Sequence, residues 1–528
     1  MAQSGRSRLV ARAGPDSAGH DAVLRPVARR NTQKISHLLA ADLRRQILNG
    51  ELATDQQLPP EADLTNMFQI SRDTLREALR ILESQQLVEI KRGRGGGVVV
   101  RRPGLAAVSQ YVALLLQLRG TTLAHLEEAR SVIEPQAAEE VAAHAGADAL
   151  EALVALHDAE RAAADNPLAF VAAMSAFDQA VIDLSRNNTL AVISGVFRDI
   201  YAGQVYSSIG DNDATSDERI ARRVIVSHSA FLDAARRRDA SLAQSTWSDY
   251  LFTTGRLLIR RNVSRQPIDI TPLWRAQAGQ AGTESTPRRA LVVATEIRAR
   301  IAEGRLGEGD RLPSLADLGD EFAISRPTLR EALRILEMEY LLDLRTGDRA
   351  GGEIRTPSTR VAAQLSGIVL EARQTTVADC MRAIRLIEPP IAGLIASRVS
   401  NKQLTQLGEV EGELAAATED TPQFITSWRE AERITFSAVK NPALTVIAEI
   451  LQWIRVGLEP AITADVPDQP WVHKTNRKVH RLFAEFVSAA AEHDSARASQ
   501  VWTECVKINE IWPEDSEFGK RPLLDLLN

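Results

Sequence analysis

The chain is poor in cysteine, poor in aromatic residues and free of long apolar runs. Only Cys380 and Cys505 occur in 528 residues. They lie far apart and outside any Cys-x-x-Cys spacing, which supports neither a disulfide framework nor a cysteine zinc site and fits a reducing cytoplasm. No stretch approaches about 18 uninterrupted apolar residues, and the N-terminus lacks a secretory apolar run, so no membrane passage is expected. A positive excess is missing too: the formal charge is −6, which argues against a uniformly basic coat and leaves any nucleic-acid contact to local patches. What remains, 44% hydrophobic and 25% charged residues, is ordinary for a globular protein whose length calls for several domains.

The stretch SRDTLREALRILESQQL at Ser71–Leu87 returns almost unchanged as SRPTLREALRILEMEYL at Ser325–Leu341. In each copy a capping Ser precedes apolar residues spaced for one buried helical face: Leu75, Ala78, Leu79 and Leu82 in the first, Leu329, Ala332, Leu333 and Leu336 in the second. Arg72, Arg76 and Arg80 line another stripe, a pattern suited to a DNA major groove. Upstream, Leu39, Leu43 and Ile47 predict a helix from about Thr32 to Asn49-Gly50, and Leu58-Pro59-Pro60-Glu61 opens a second. Downstream, two β-prone runs bracket Lys91-Arg92-Gly93-Arg94-Gly95-Gly96-Gly97, predicting a hairpin with a basic tip. The glycine run lacks the Gly-Lys-Ser/Thr ending of a phosphate loop, so a nucleotide site is set aside.

Adding 254 to residue numbers carries Gly50 onto Gly304, Ser71 onto Ser325, Glu134 onto Glu388 and Asn187 onto Asn441, and one inserted residue then carries Trp247 onto Trp502. The chain therefore reads as a tandem duplication. The expected divisions are a flexible basic arm at 1–31, a DNA-binding head at 32–103, a helical domain at 104–262, a linker at 263–287, a second head at 288–357 and a second helical domain at 358–528.

The segment LPPEADLTNMFQISRDTLREALRILESQQLVEIKRGRGGGVVV resembles the winged helix of the GntR family of bacterial transcription regulators, departing at Ala62 and Ala316, where the family has Arg. LAHLEEARSVIEPQAAEEVAAHA, FDQAVIDLSRNNTL and SHSAFLDAARRRDASLA resemble the helical effector domain of its FadR-like branch, the FCD domain. The resemblance implies a mainly α chain in which two winged helix-turn-helix domains alternate with two all-α bundles. It also implies a cytoplasmic DNA-binding regulator of the repressor type, relieved by a small organic acid. DNA contact falls to Arg72, Asp73, Thr74, Arg76, Arg80, Lys91, Arg92 and Arg94 in the first head, and to Arg326, Thr328, Arg330 and Arg349 in the second. Effector contact falls to Arg130, Asp178 and His228, with a helical ion pair to Glu134, four residues on, as the alternative role of Arg130. Many relatives hold a metal in this domain through one Asp and three His. The matching positions here are Met174, Asp178, His228 and Tyr250, so Asp178 and His228 supply two donors, Tyr250 is a poor third, and a cavity without metal is expected.

The halves differ. Arg101 and Arg102 add to the basic character of the first head, whereas Asp348 replaces Arg94 at the second wing, predicting weaker phosphate attraction there. In the second bundle Ile384 replaces Arg130 and the metal positions read Trp428, Glu432, Phe483 and Cys505, so effector binding is expected in the first bundle only. One chain is expected to act as a pseudo-dimer on an operator, with further homodimerisation open. The alternatives are an interaction or scaffold protein with a degenerate second head and, third, a metal hydrolase at Asp178 and His228, for which no nucleophile and base pair is visible.

Overall fold

A computed structural model describes residues 35–85, 87–91, 97–102, 104–208, 214–259, 267–271, 286–344, 352–463, 470–509 and 516–523. The basic arm and both wing tips, with Arg92, Arg94, Asp348 and Arg349, lie outside the described residues.

The first compact unit runs to Ile81 and takes in Val88–Arg101. It contains α1 (Ile35–Leu48), α2 (Glu61–Phe68) and most of α3 (Arg72–Ser84), followed by β1 (Val88–Lys91) and β2 (Gly97–Val100). Leu39, Leu43, Ile47, Leu64, Leu75 and Ala78 form its buried interior. The hairpin is antiparallel, pairing Val88 with Val100 and Lys91 with Gly97. Gly50 ends α1 in the left-handed region at φ 77, a conformation that glycine adopts without a Cβ clash.

The second unit holds everything from Arg102 onward. Its first bundle comprises α4 (Leu105–Leu118), α5 (Leu123–His144), α6 (Ala147–Ala163), α7 (Pro167–Asp183), α8 (Asn188–Ser208), α9 (Ala214–Arg236) and α10 (Ala240–Ile259). The second head follows as α11 (Thr286–Ala302), α12 (Leu315–Glu321), α13 (Arg326–Met338), β3 (Leu342–Asp343) and β4 (Glu353–Ile354). The second bundle is α14 (Thr359–Ala372), α15 (Val377–Arg398), α16 (Asn401–Ala416), α17 (Thr421–Ser437), α18 (Pro442–Thr463), α19 (Pro470–Ala491) and α20 (Ser495–Asn509). Local chemistry starts these helices: Thr122 and His125 close a capping box on α5, and Asn166 caps α7 ahead of Pro167, where a missing N–H costs nothing. In both bundles the same helix pair is packed most closely, α5 with α10 and α15 with α20.

The duplication is written into the backbone. Left-handed residues recur at the repeat spacing: Gln69 with Ala323, Gly120 with Gln374, Arg186 with Lys440 and Arg238 with His493. The linker expected at 263–287 is corrected in part. Residues 267–271 pack on the first bundle, where Pro267 bridges Thr122, the Ile268 N–H donates to the Thr121 carbonyl at 2.8 Å, and Ile268 and Ile270 are buried. The second bundle repeats this strap with Pro522 against Thr376.

The two bundles meet through equivalent positions. Asn187 Nδ2 donates to the Asp379 carbonyl at 3.4 Å and Asn441 Nδ2 to the His125 carbonyl at 3.0 Å; each residue of one bond is the repeat equivalent of its counterpart. The reciprocity of this asparagine pair is the mark of a two-fold interface, here formed inside one chain. Arg119 with Glu449 at 2.9 Å and Arg373 with Asp183 at 3.3 Å add ion pairs from equivalent arginines to acids at non-equivalent positions. Divergence has added unequal contacts: the Asp379 carboxylate accepts from the Asn188 and Thr189 N–H groups at the start of α8, both at 3.0 Å.

Candidate functional site

The first recognition helix starts where its capping chemistry puts it. Ser71 Oγ accepts the Thr74 N–H at 3.1 Å, satisfying one of the donors a helix N-terminus leaves open. Leu75, Ala78 and Leu82 are fully buried, and this turns Arg72, Asp73, Arg76 and Arg80 outward while Thr74 is half-buried. Lys91 is exposed at the end of β1. Two features were not foreseen. Arg76 Nε lies 2.8 Å from Glu61 Oε1 at the start of α2. Arg101, counted in the basic segment, is paired with both Glu89 and Asp55, so its charge is balanced within the head.

The second head repeats the frame with different chemistry. Ser325 Oγ accepts the Thr328 N–H at 3.4 Å, Arg326 and Arg330 are exposed, and Thr328 is buried, which places it in the cap. Leu315 stands where the first head has Glu61, and Arg330 has no carboxylate partner among the described residues. Arg355, the equivalent of Arg101, is likewise balanced, by Glu308, Asp343 and Glu353.

In the first bundle the three expected effector residues come together. Arg130 Nε donates to Glu134 Oε1 at 2.6 Å and Nη2 donates to Asp178 Oδ2 at 2.7 Å. Its guanidinium also lies 4.6 Å from the centroid of the Tyr201 ring. Burial works against the guanidinium charge, but Glu134 and Asp178 outweigh it and hold Arg130 firmly protonated. The Tyr250 hydroxyl donates to Asp178 at 3.0 Å, and Trp247 Nε1 donates to Glu134 at 3.3 Å. The His228 ring stacks on Phe177 at 4.3 Å and lies parallel to Trp247 at 5.6 Å, in one aromatic cluster in which Phe177 and Trp247 also meet at 6.4 Å. Beside the cluster, burial pushes the Glu127 carboxyl up to about 7, against the opposing pull of Arg130. The positions that hold a metal in relatives do not fit one here: Met174 offers a thioether, Tyr250 is engaged with Asp178, and Asp178 is engaged with Arg130.

Sequence reasoning missed His157 and Glu160 on α6. His157 Nδ1 and His228 Nδ1 each lie 2.9 Å from the Glu160 carboxylate, and all three side chains are buried. The signal that could have found them is the i, i+3 spacing of His157 and Glu160 on one helical face.

In the second bundle, where Ile384 stands at the Arg130 position, a guanidinium comes from a different helix. Arg455, on α18, lies 2.6 Å from Glu432 and 3.4 Å from Glu388. By the repeat, Glu388 and Glu432 are the equivalents of Glu134 and Asp178, and Arg455 is the equivalent of Tyr201. The positive charge therefore returns to the same two carboxylates from another helix. Trp502 Nε1 donates to Glu388 at 3.0 Å, as Trp247 does to Glu134. At the remaining positions Trp428 and Phe483 make an edge contact at 5.9 Å and Cys505 is buried.

Two family models match this chain, each of them twice. One, described as bacterial regulatory proteins of the gntR family, matches residues 36–98 and 289–350. The other, described as the FCD domain, matches residues 125–252 and 379–507. Among curated relatives, the HTH-type transcriptional repressor NanR of Salmonella arizonae is 25% identical over 235 residues, covering 44% of this chain and 85% of the relative. The protein of the same name from Salmonella newport is 24% identical over 226 residues, covering 42% and 84%. Among solved structures, Streptococcus agalactiae GntR matches with a TM-score of 0.33 and 19% identity over 42% of this chain and 98% of that one. E. coli McbR/YncC matches with a TM-score of 0.22 and 19% identity over 42% and 94%.

Proposed function

Because the chain belongs to the gntR family of bacterial regulatory proteins, carrying two helix-turn-helix and two FCD domains in tandem, it is a DNA-binding transcription regulator, and we propose that one chain does the work of a two-subunit repressor. The observation that carries this reading is the reciprocal pair of contacts from Asn187 and Asn441, a two-fold interface already satisfied within the chain. The exposed arginines of α3 and α13 supply the two reading surfaces, Arg72, Arg76 and Arg80 in the first and Arg326 and Arg330 in the second. The wing residues Lys91, Arg92, Arg94 and Arg349 add phosphate contacts. Repression is the proposed sign, since the curated relatives are named repressors.

A small organic acid is the proposed effector, acting at Arg130, Asp178 and His228. Arg130 is already held by two carboxylates, so an acidic effector enters by exchange with one of them, and it regulates only if it binds one arrangement of the bundle better than another. No helix among the described residues is long and apolar enough to cross a membrane.

The test is the mass of the protein–DNA complex together with a footprint. One chain on an imperfect palindrome, with half-sites about one DNA turn apart, is expected. Two chains on a symmetric operator would count against the single-chain arrangement. The rival, an interaction protein with a degenerate second head, requires that Arg330→Ala leave operator binding unchanged.

A further inference from the structure

We infer that the first bundle holds one divalent transition-metal ion through His157, Glu160 and His228, a site that shares only His228 with the four positions that the family resemblance assigns. The inference does not depend on the DNA-binding reading. One donor atom from each residue lies within 4.8 Å of the other two, and the residues are 6%, 0% and 0% exposed. Two imidazoles and a carboxylate are a donor set suited to zinc, nickel, cobalt or manganese.

The far nitrogens of the two imidazoles make the case. His157 Nε2 lies 2.9 Å from Ser229 Oγ. His228 Nε2 lies 3.4 Å from Asp178 Oδ1 and has no hydrogen-bond partner among the described residues. If both Nδ1 atoms carry protons toward Glu160, a neutral His228 leaves a bare, fully buried lone pair facing a carboxylate oxygen. Acceptor then opposes acceptor, an arrangement buried groups avoid. A cation at the point where the two Nδ1 atoms and the Glu160 carboxylate converge reverses the tautomers. Both Nδ1 atoms become ligands, and both Nε2 atoms carry protons, one directed at Ser229 and the other at Asp178. Metal-bound imidazoles characteristically give their second N–H to an oxygen in this way. Asp178, fixed by Arg130 and Tyr250, then acts as an outer partner that orients His228, and the Phe177 ring packs against the imidazole at 4.3 Å. Three protein donors leave a coordination position for water or for an oxygen of the effector.

The second bundle cannot repeat the site. The repeat places Glu411, Leu414 and Phe483 at the three positions, and Glu411 is paired with His480. One metal per chain is therefore expected, not two.

The experiment uses the full chain, stripped with a chelator, reloaded with zinc and dialysed. Elemental analysis should give about one equivalent per chain, and competition against a chromophoric chelator should show at least a roughly 10-fold loss of affinity in Glu160→Gln. Tyr250→Phe and Met174→Leu should keep the metal. Absence of zinc from the reloaded wild type overturns the proposal and leaves a doubly protonated His228 between Glu160 and Asp178 as the answer. Unchanged binding in Glu160→Gln overturns it as well, and marks adventitious binding elsewhere. Should Glu160→Gln fail to fold, X-ray absorption on the zinc-loaded wild type decides: two imidazoles with oxygen donors support the site, and sulfur or any other histidine count sinks it.

Discussion

The two helical bundles solve one electrostatic problem in two ways. Each buries a pair of carboxylates at equivalent positions, Glu134 with Asp178 and Glu388 with Glu432, and each sets a guanidinium between them. The first takes it from α5 as Arg130 and fills the facing position on α8 with Tyr201. The second fills the α15 position with Ile384 and takes the guanidinium from α18 as Arg455. What persisted through divergence is the local charge balance, because a carboxylate left buried without a partner is strongly destabilising, whereas the helix that supplies the partner matters little. The comparison breaks if the two arginines are not interchangeable. Arg130→Ile should therefore destabilise by about 3 to 5 kcal/mol, read from denaturant melts, and Tyr201→Arg added to it should recover much of the loss. A double variant no more stable than the single would show that the arginine in each bundle is tied to its own helix.

The two heads differ in the opposite sense, with the frame retained and the charge redistributed. Arg76→Ala should weaken operator binding by about 1 to 3 kcal/mol and Arg330→Ala by less, measured by anisotropy on operator and on random duplex. Equal losses on both duplexes would make Arg76 a phosphate contact. Arg101 and Arg355 do not enter this difference, because each is balanced by acids of its own head.

Much of this was legible in the sequence. Capping serines, four-residue apolar spacing and the Asn49-Gly50 stop predicted the heads, and repeated wording predicted the tandem. The strap was missed because Pro, Gly and Thr around it signal a linker, although the alternation Ile268-Asp269-Ile270 is the pattern of a half-buried extended segment. Arg455 was missed because one arginine in an apolar helix reads as a side chain reaching for water. Only setting Ile384 and Arg455 beside Arg130 and Tyr201 reveals the exchange. His157 and Glu160 escaped because their helix reads as a charged, solvated one, and the partner that buries them, His228, lies far along the chain.

Titration sharpens the comparison of bundles. Burial pushes Glu432 up to about 7, against the opposing effect of Arg455, so the folded second bundle binds a proton that the unfolded chain has already released. Stability from this source is full below the ordinary glutamate range near 4.5 and falls as pH rises through about 7. Glu432→Gln should thus melt about 2 to 4 °C above the wild type at pH 8 and lose that advantage below about pH 5. In the first bundle burial raises the carboxyls of Glu127, to about 7, and of Glu134, so Glu134→Gln, at the position that matches Glu388, should show the same direction of pH dependence. A variant there whose melting advantage did not change with pH would show that the two bundles titrate differently.

The smallest expected effect concerns Glu61, which separates the heads by a single pair. Glu61 and Arg76 are 39% and 57% exposed, so their attraction contributes at most about 1 kcal/mol to folding, and Glu61→Leu, which installs the residue found at Leu315, should leave the melting temperature unchanged. Its consequence lies in DNA reading. A guanidinium held by a carboxylate is partly neutralised toward phosphate and limited in its orientations, so the pair lowers non-specific attraction and reduces the ordering needed at a base edge. Releasing Arg76 should raise affinity for random duplex by about two- to five-fold at low salt, with the gain fading as salt is added. Operator affinity should stay level or fall, narrowing the specificity ratio, and Leu315→Glu should move the second head the other way. If Glu61→Leu shifts operator and random duplex by the same factor, the pair tunes charge alone, and the difference in reading between the heads must come from Asp73 against Pro327.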